Sequence, residues 1–206
     1  VAKAMGLGES TGIELPEEIG HRANTETKHE LYGETQDFYR VDQVLAAIGQ
    51  SDNRFTPMQL CVYVSTLANR GTRYKATFLR RVVSADYRQL VFENSAKILS
   101  QYEISDDAYL AYMQGMYRVA NEVNGSTFDT MGYLPFTVCA KTGTAQIATG
   151  GVYRTSGHQV SFCGYFPADH PKYSCIVVIR RPRIGYPSGG TMSVSYTHLT
   201  LPTIRL

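Results

Sequence analysis

The run Cys175-Ile176-Val177-Val178-Ile179 restricts the fold more than any other feature, because five consecutive apolar residues without polar alternation suit a strand covered on both faces. That strand, Ser174 to Arg180, is expected at the centre of a sheet. It follows Val160 to Phe166 across Pro167-Ala168-Asp169-His170-Pro171-Lys172, a short and turn-rich connection, so the two strands are expected to form an antiparallel hairpin. A third strand is expected over Phe136 to Thr144.

Helical signals precede these strands. Thr56 suits a cap, Pro57 the first position and Gln59 the return arm of a capping box, which predicts a helix from about Pro57 to Arg70 ended by Gly71. Leu60, Val64, Leu67 and Ala68 recur along it at helical spacing. Ser105 followed by Asp106 and Asp107 predicts a second long helix, with Tyr109, Met113, Met116, Tyr117 and Ala120 as its apolar face. Asn124-Gly125 is expected to end it; with Ser126 the same residues spell a glycosylation acceptor, but a helix stop accounts for them. Between the helices, Lys75 to Phe92 is rich in β-branched and aromatic residues around Asp86-Tyr87-Arg88, which predicts a hairpin. The first residues read as a short helical start, Gly6 to Pro16 as a glycine-punctuated turn with a brief extended piece, and His21 to Tyr39 as a surface loop. Helices ahead of an antiparallel sheet imply an α+β fold.

With 206 residues and 43% hydrophobic content, the chain is the size of one ordinary domain. Its net charge of +2 is interspersed, with no basic stripe to follow a phosphate backbone, so nucleic acid is not an expected partner. No stretch approaches the ~18 apolar residues of a membrane span. The chain opens on Val1 inside the helical start, so a preceding segment is expected. Cys61, Cys139, Cys163 and Cys175 lack metal-like spacing; they read as buried free thiols, with a Cys139–Cys163 disulfide as the alternative.

Chemistry concentrates in Lys141-Thr142-Gly143-Thr144, at the end of the strand that begins Phe136-Thr137-Val138-Cys139-Ala140. A buried strand that ends this way delivers one ammonium and two hydroxyls to a sheet edge. The tetrapeptide stands in a longer run of motifs. Gly6-Leu7-Gly8 leads to Thr11-Gly12-Ile13-Glu14-Leu15-Pro16; Ala47-Ile48-Gly49-Gln50 leads to Thr56-Pro57-Met58-Gln59-Leu60 and Leu67-Ala68-Asn69-Arg70-Gly71. Gly115-Met116, Ala145-Gln146 and His158 with Phe162-Cys163-Gly164-Tyr165-Phe166-Pro167 complete the order. Over roughly residues 5 to 190 this order resembles the penicillin-binding proteins, and most closely their class B transpeptidases.

The resemblance implies a partial serine transpeptidase or β-lactamase-like fold over residues 1–191, an antiparallel sheet with packed helices. In that family a serine of an S-x-x-K motif attacks a D-alanyl-D-alanine stem peptide of peptidoglycan, or a β-lactam ring, and is acylated. By resemblance, Lys141 would be catalytic, joining the proton and charge network around that serine. Thr142 and Thr144 would bind the substrate carboxylate, Gly143 would let substrate lie against the strand, and the Thr144 N–H would form half of an oxyanion hole. No metal or organic cofactor is implied. The resemblance further implies a membrane-anchored parent protein in a cell-wall synthesis complex at the extracytoplasmic face of a bacterial membrane.

No serine of the chain opens an S-x-x-K motif; Thr25-Glu26-Thr27-Lys28 and Thr72-Arg73-Tyr74-Lys75 have the wrong residue and the wrong place in the order. Ser51-Asp52-Asn53 spells the second motif of class A β-lactamases, but its flanks match a family segment that follows the true S-x-N, so it is read as a polar turn. Both missing elements are expected upstream of Val1, and the chain alone is expected to be inactive. A non-catalytic β-lactam-sensing or peptidoglycan-binding module, and a serine β-lactamase or D,D-carboxypeptidase, are the alternatives. Residues 192–206, with Pro202 and several threonines, lack the period of the long amphipathic helix that the resemblance implies there; they read as an atypical, artefactual tail, with an ordinary disordered terminus as the alternative.

Overall fold

The computed structural model of this chain describes residues 1–146 and 158–180, together with the course of strands that end at Gln146 and begin at His158. The chain divides into two compact units, Val1–Glu103 and Ile104–Leu206. The expected tail at 192–206 lies outside the described residues.

In the first unit, residues 1–9 form successive turns rather than a helix: Met5 N donates to Val1 O at 3.1 Å, and Gly6 and Gly8 then take φ of 93° and 67°. The stretch expected to be a loop holds a helix, α1 (Thr25–Tyr32), capped by Asn24, whose Oδ1 accepts from Thr27 N at 2.8 Å. A second helix, α2 (Arg40–Ala47), starts where Asp42 reaches back to Tyr39 N at 3.0 Å. Helix α3 (Pro57–Ala68) has the predicted capping box, with Gln59 N donating to Thr56 Oγ1 and Thr56 N to Gln59 Oε1. It buries Gln59, Val62, Val64 and Thr66. Of the expected stripe only Val64 is fully buried; the helix is apolar around most of its circumference, so spacing could not select the inward face. The chain leaves α3 through Arg70 and Gly71, both at positive φ, and Gly71 N closes the end on Thr66 O at 2.8 Å.

Two antiparallel pairs complete this unit: β1 (Thr72–Tyr74) with β4 (Ile98–Gln101), and β2 (Arg81–Val83) with β3 (Leu90–Glu93). The second is the predicted hairpin, with Tyr87 at φ 58° in its turn.

In the second unit, α4 (Asp106–Asn121) is capped as predicted, Ser105 Oγ accepting from Ala108 N. Met116 and Ala120 are buried, Tyr109 and Met113 partly so, and Tyr117 lies on the exposed side. The helix ends at Asn121, short of the Asn124-Gly125 stop, and a single turn, α5 (Phe128–Met131), follows. The three predicted strands are present as β5 (Cys139–Gln146), β6 (His158–Phe166) and β7 (Tyr173–Arg180), all antiparallel in the order β5-β6-β7. Among the described residues the middle strand is therefore β6. Strand β7, expected at the centre, pairs among the described residues only with β6 and is half-buried through Ile179. Ala120, Val138, Ala140 and Phe162 form the core between helix and sheet, flanked by Val119, Met131, Leu134 and Val177. This is an α+β arrangement of helices and antiparallel strands.

Candidate functional site

Strand β5 carries Lys141 to Thr144 out of the core. Its first residues, Cys139 and Ala140, are wholly buried, whereas Lys141 and Thr144 are exposed and Thr142 and Gly143 half-buried. The buried start anchors the register, and the exposed end presents the polar groups. Pairing with β6 sets Lys141 opposite Cys163, Thr142 opposite Phe162, Gly143 opposite Ser161 and Thr144 opposite Val160. Among the described residues β5 pairs with β6 alone.

Lys141 Nζ turns to the carbonyl of Thr142, and the Cys163 thiol donates to the Lys141 carbonyl at 3.6 Å. Thr142 Oγ1 lies 3.1 Å from Ser126 Oγ, on the turn after α4. A Cβ at Gly143 would stand 2.8 Å from Ser161 Oγ, so a larger residue here requires the Ser161 hydroxyl to turn aside. The four predicted residues are thus brought together on one strand; Ser126, Ser161 and Cys163 join them only through tertiary contact. An ammonium, two hydroxyls and a strand edge suit an extended ligand with an anionic end.

Other candidates are occupied structurally. Asp52 is buried, accepts from Tyr32 OH at 2.8 Å and lies 3.8 Å from Lys28 Nζ. Asn53 accepts from Ala23 N and donates to the carbonyls of Ala46 and Gln50. All of this fits Ser51-Asp52-Asn53 as a turn, Ser51 taking φ 61°. The Lys28 of the Thr25–Lys28 imitation is held by Asp42 at 3.1 Å.

None of the four cysteines is in a disulfide, and only Cys139 is fully buried. The alternative Cys139–Cys163 disulfide is absent: Cys139 faces Tyr165 and Cys163 faces Lys141, two residues out of register. Burial pushes the Cys139 thiol up and, with Cys139 beside it, the Tyr165 phenol further up, so both are neutral core groups. A cleft of about 780 Å³ lined by Met113, Tyr117, Phe136 and Pro167 lies near the buried start of β5 and includes none of residues 141–144. The described residues hold no cluster suited to a metal, and no helix among them is long and apolar enough to cross a membrane.

The family model for the penicillin binding protein transpeptidase domain matches residues 1–197. Penicillin-binding protein 2A of Bacillus subtilis is 30% identical over 191 residues, covering 88% of this chain and 25% of that protein. The peptidoglycan D,D-transpeptidase MrdA of Haemophilus influenzae is 27% identical over 190 residues, 86% of this chain and 28% of that one. Among solved structures, penicillin-binding protein 2B from Streptococcus pneumoniae R6 superposes with a TM-score of 0.71 at 24% identity, over 97% of this chain and 32% of that chain. The chain therefore spans about a quarter of the length of these curated relatives.

Proposed function

Because this chain belongs to the penicillin-binding protein transpeptidase domain family, we propose that its β5 strand forms the substrate-binding wall of a peptidoglycan D,D-transpeptidase. The observation that carries this reading is the polar end of β5: Lys141 and Thr144 are exposed beyond a buried anchor, on a strand that pairs along one side only among the described residues. A stem peptide ending in D-alanyl-D-alanine, or a β-lactam in its place, lies along that strand as an added strand would.

Thr142 and Thr144 hydroxyls receive the terminal carboxylate, a charge-assisted contact stronger than a neutral hydrogen bond. The Thr144 N–H contributes to an oxyanion hole, where a fixed backbone dipole stabilises the charge that develops on the attacked carbonyl. Lys141 belongs to the proton and charge network of the acylated serine, which this chain does not provide in an S-x-x-K motif. The chain thus contributes binding and polarisation, and acyl transfer depends on a serine outside it. Its setting is the extracytoplasmic face of a bacterial membrane, in an anchored protein of a cell-wall synthesis complex.

A fluorescent penicillin tests this reading in two ways. Under native conditions its anisotropy should rise on binding, and Thr144→Val should reverse the rise. On a denaturing gel the chain should carry no label. Absence of native binding, or indifference to Thr144→Val, overturns the binding wall; a covalent label overturns the claim that the nucleophile lies elsewhere.

A further inference from the structure

The turn between α4 and α5 touches the site only through Ser126 among the contacts described so far, yet it is fixed closely to the helix end. Thr127, buried at 2% exposure, donates twice to the Val119 carbonyl, through its N–H and through Oγ1, each at 3.0 Å. Gly125 N donates to Glu122 O at 2.7 Å and Phe128 N to Gly125 O at 3.1 Å. A Cβ on Gly125 would come within 2.3 Å of Arg118 O and 2.4 Å of Val119 O, so no other residue lets the turn lie this close to the helix end. Asn121, on the last turn of α4, binds the strand's approach through Val138 O at 2.8 Å. These contacts leave the one residue between Gly125 and Thr127, Ser126, with its Oγ 3.1 Å from Thr142 Oγ1.

We propose that Ser126 is a positioning residue for ligand binding, donating its hydroxyl proton to Thr142 Oγ1 so that the Thr142 proton is left to point at an anionic ligand oxygen. The proposal rests on the reading of β5 as a carboxylate-binding wall. A threonine hydroxyl has one proton and two acceptor lone pairs. If Thr142 donated to Ser126, that proton would be unavailable to a carboxylate. With the carboxylate accepting from Thr142, Ser126 can remain bonded only as the donor. The two bonds then polarise in the same sense, each strengthening the other. Both hydroxyls are solvent-accessible, so the bond itself adds little stability; its consequence lies in which rotamer Thr142 occupies.

Two readouts test this on the whole chain. Without ligand, the three-bond couplings to the Thr142 methyl should report one rotamer, average in Ser126→Ala, and return in Ser126→Thr. With fluorescent penicillin under native conditions, Ser126→Ala should weaken binding about three- to tenfold, the size of one lost hydrogen bond, with Ser126→Thr restoring it. Thr142 couplings or affinity unchanged in Ser126→Ala overturn the proposal. Thr142→Val separates it from the reading beneath: a weakened Thr142→Val beside a neutral Ser126→Ala overturns the role of Ser126 alone. A neutral Thr142→Val, or no binding by the unaltered chain, overturns both.

Discussion

Gln59 Nε2 donates to the Glu9 carbonyl at 2.8 Å across 50 residues of sequence, while its Oε1 holds the Thr56 N–H at 3.1 Å. The side chain is fully buried, so one amide both caps α3 and secures the N-terminal turns. Gln59→Leu keeps the volume but takes this partner from the part-buried Glu9 carbonyl and Thr56 N–H. It should cost about 1–3 kcal/mol, the penalty of leaving buried polar groups unpaired, read as a lower urea midpoint of the chain.

Lys28 joins α1 to the rest of its unit by contacting Asp42 at 3.1 Å and Asp52 at 3.8 Å, and within the helix it lies 5.1 Å from the centroid of the Tyr32 ring. The carboxylates retain only 12% and 9% of their exposure. Lys28→Met removes the cation that these two acids share. A loss of about 1–3 kcal/mol is expected, between the surface and the buried limits for an ion pair. Hydrogen exchange should show the loss concentrated in residues 25–52.

Acid should loosen the turn before α1. Although burial pushes the Glu17 carboxyl up, hydrogen bonds from Ser10, Thr11 and Gly12 hold it at about 2, against an ordinary value of 4.5. A carboxyl held low in the folded chain stabilises it above its unfolded value, and this contribution is lost as protonation follows falling pH. The urea midpoint should therefore decline between pH 4.5 and about 2. Glu17→Gln should lower the midpoint at neutral pH and flatten that part of the decline.

Two glycines of the sheet should differ in their tolerance. At Gly143 an added Cβ meets the Ser161 hydroxyl at 2.8 Å, whereas at Gly164 it meets the Cys139 carbonyl at 2.6 Å. A hydroxyl can rotate or be removed; a backbone carbonyl in a strand cannot. Gly143→Ala should cost roughly 1 kcal/mol and be rescued by Ser161→Ala, while Gly164→Ala should cost about 2–3 kcal/mol without rescue, both within the range for overpacking. Equal costs would contradict the register of β5 on β6.

Elements with a local signal were legible. The caps at Thr56 and Ser105 identified α3 and α4, and the turn residues at 167–172 identified the last hairpin. Helix α1 was missed because Thr27 is its only fully buried residue; polar contacts from Asn24 and Lys28 hold it, and they leave no apolar period. The Cys175–Ile179 run misled in the opposite direction. An apolar run records that a strand is covered but not which strands flank it, and the observed neighbour is β6 alone among the described residues. The place of Lys141–Thr144 towards the exposed end of a strand could be read because all four residues share that strand. Ser126 could not, since its contact with Thr142 spans 16 residues and depends on the fold of the intervening turn.

A backbone-amide NMR titration of the chain with an acetylated peptide ending in D-alanyl-D-alanine bears most directly on the β5 wall. The account predicts saturable shifts centred on the Gly143 and Thr144 amides, lost when the peptide carboxylate is replaced by an amide. Shifts confined to the Met113–Phe136 cleft or to Ser51–Asn53, or no shifts at all, would contradict it.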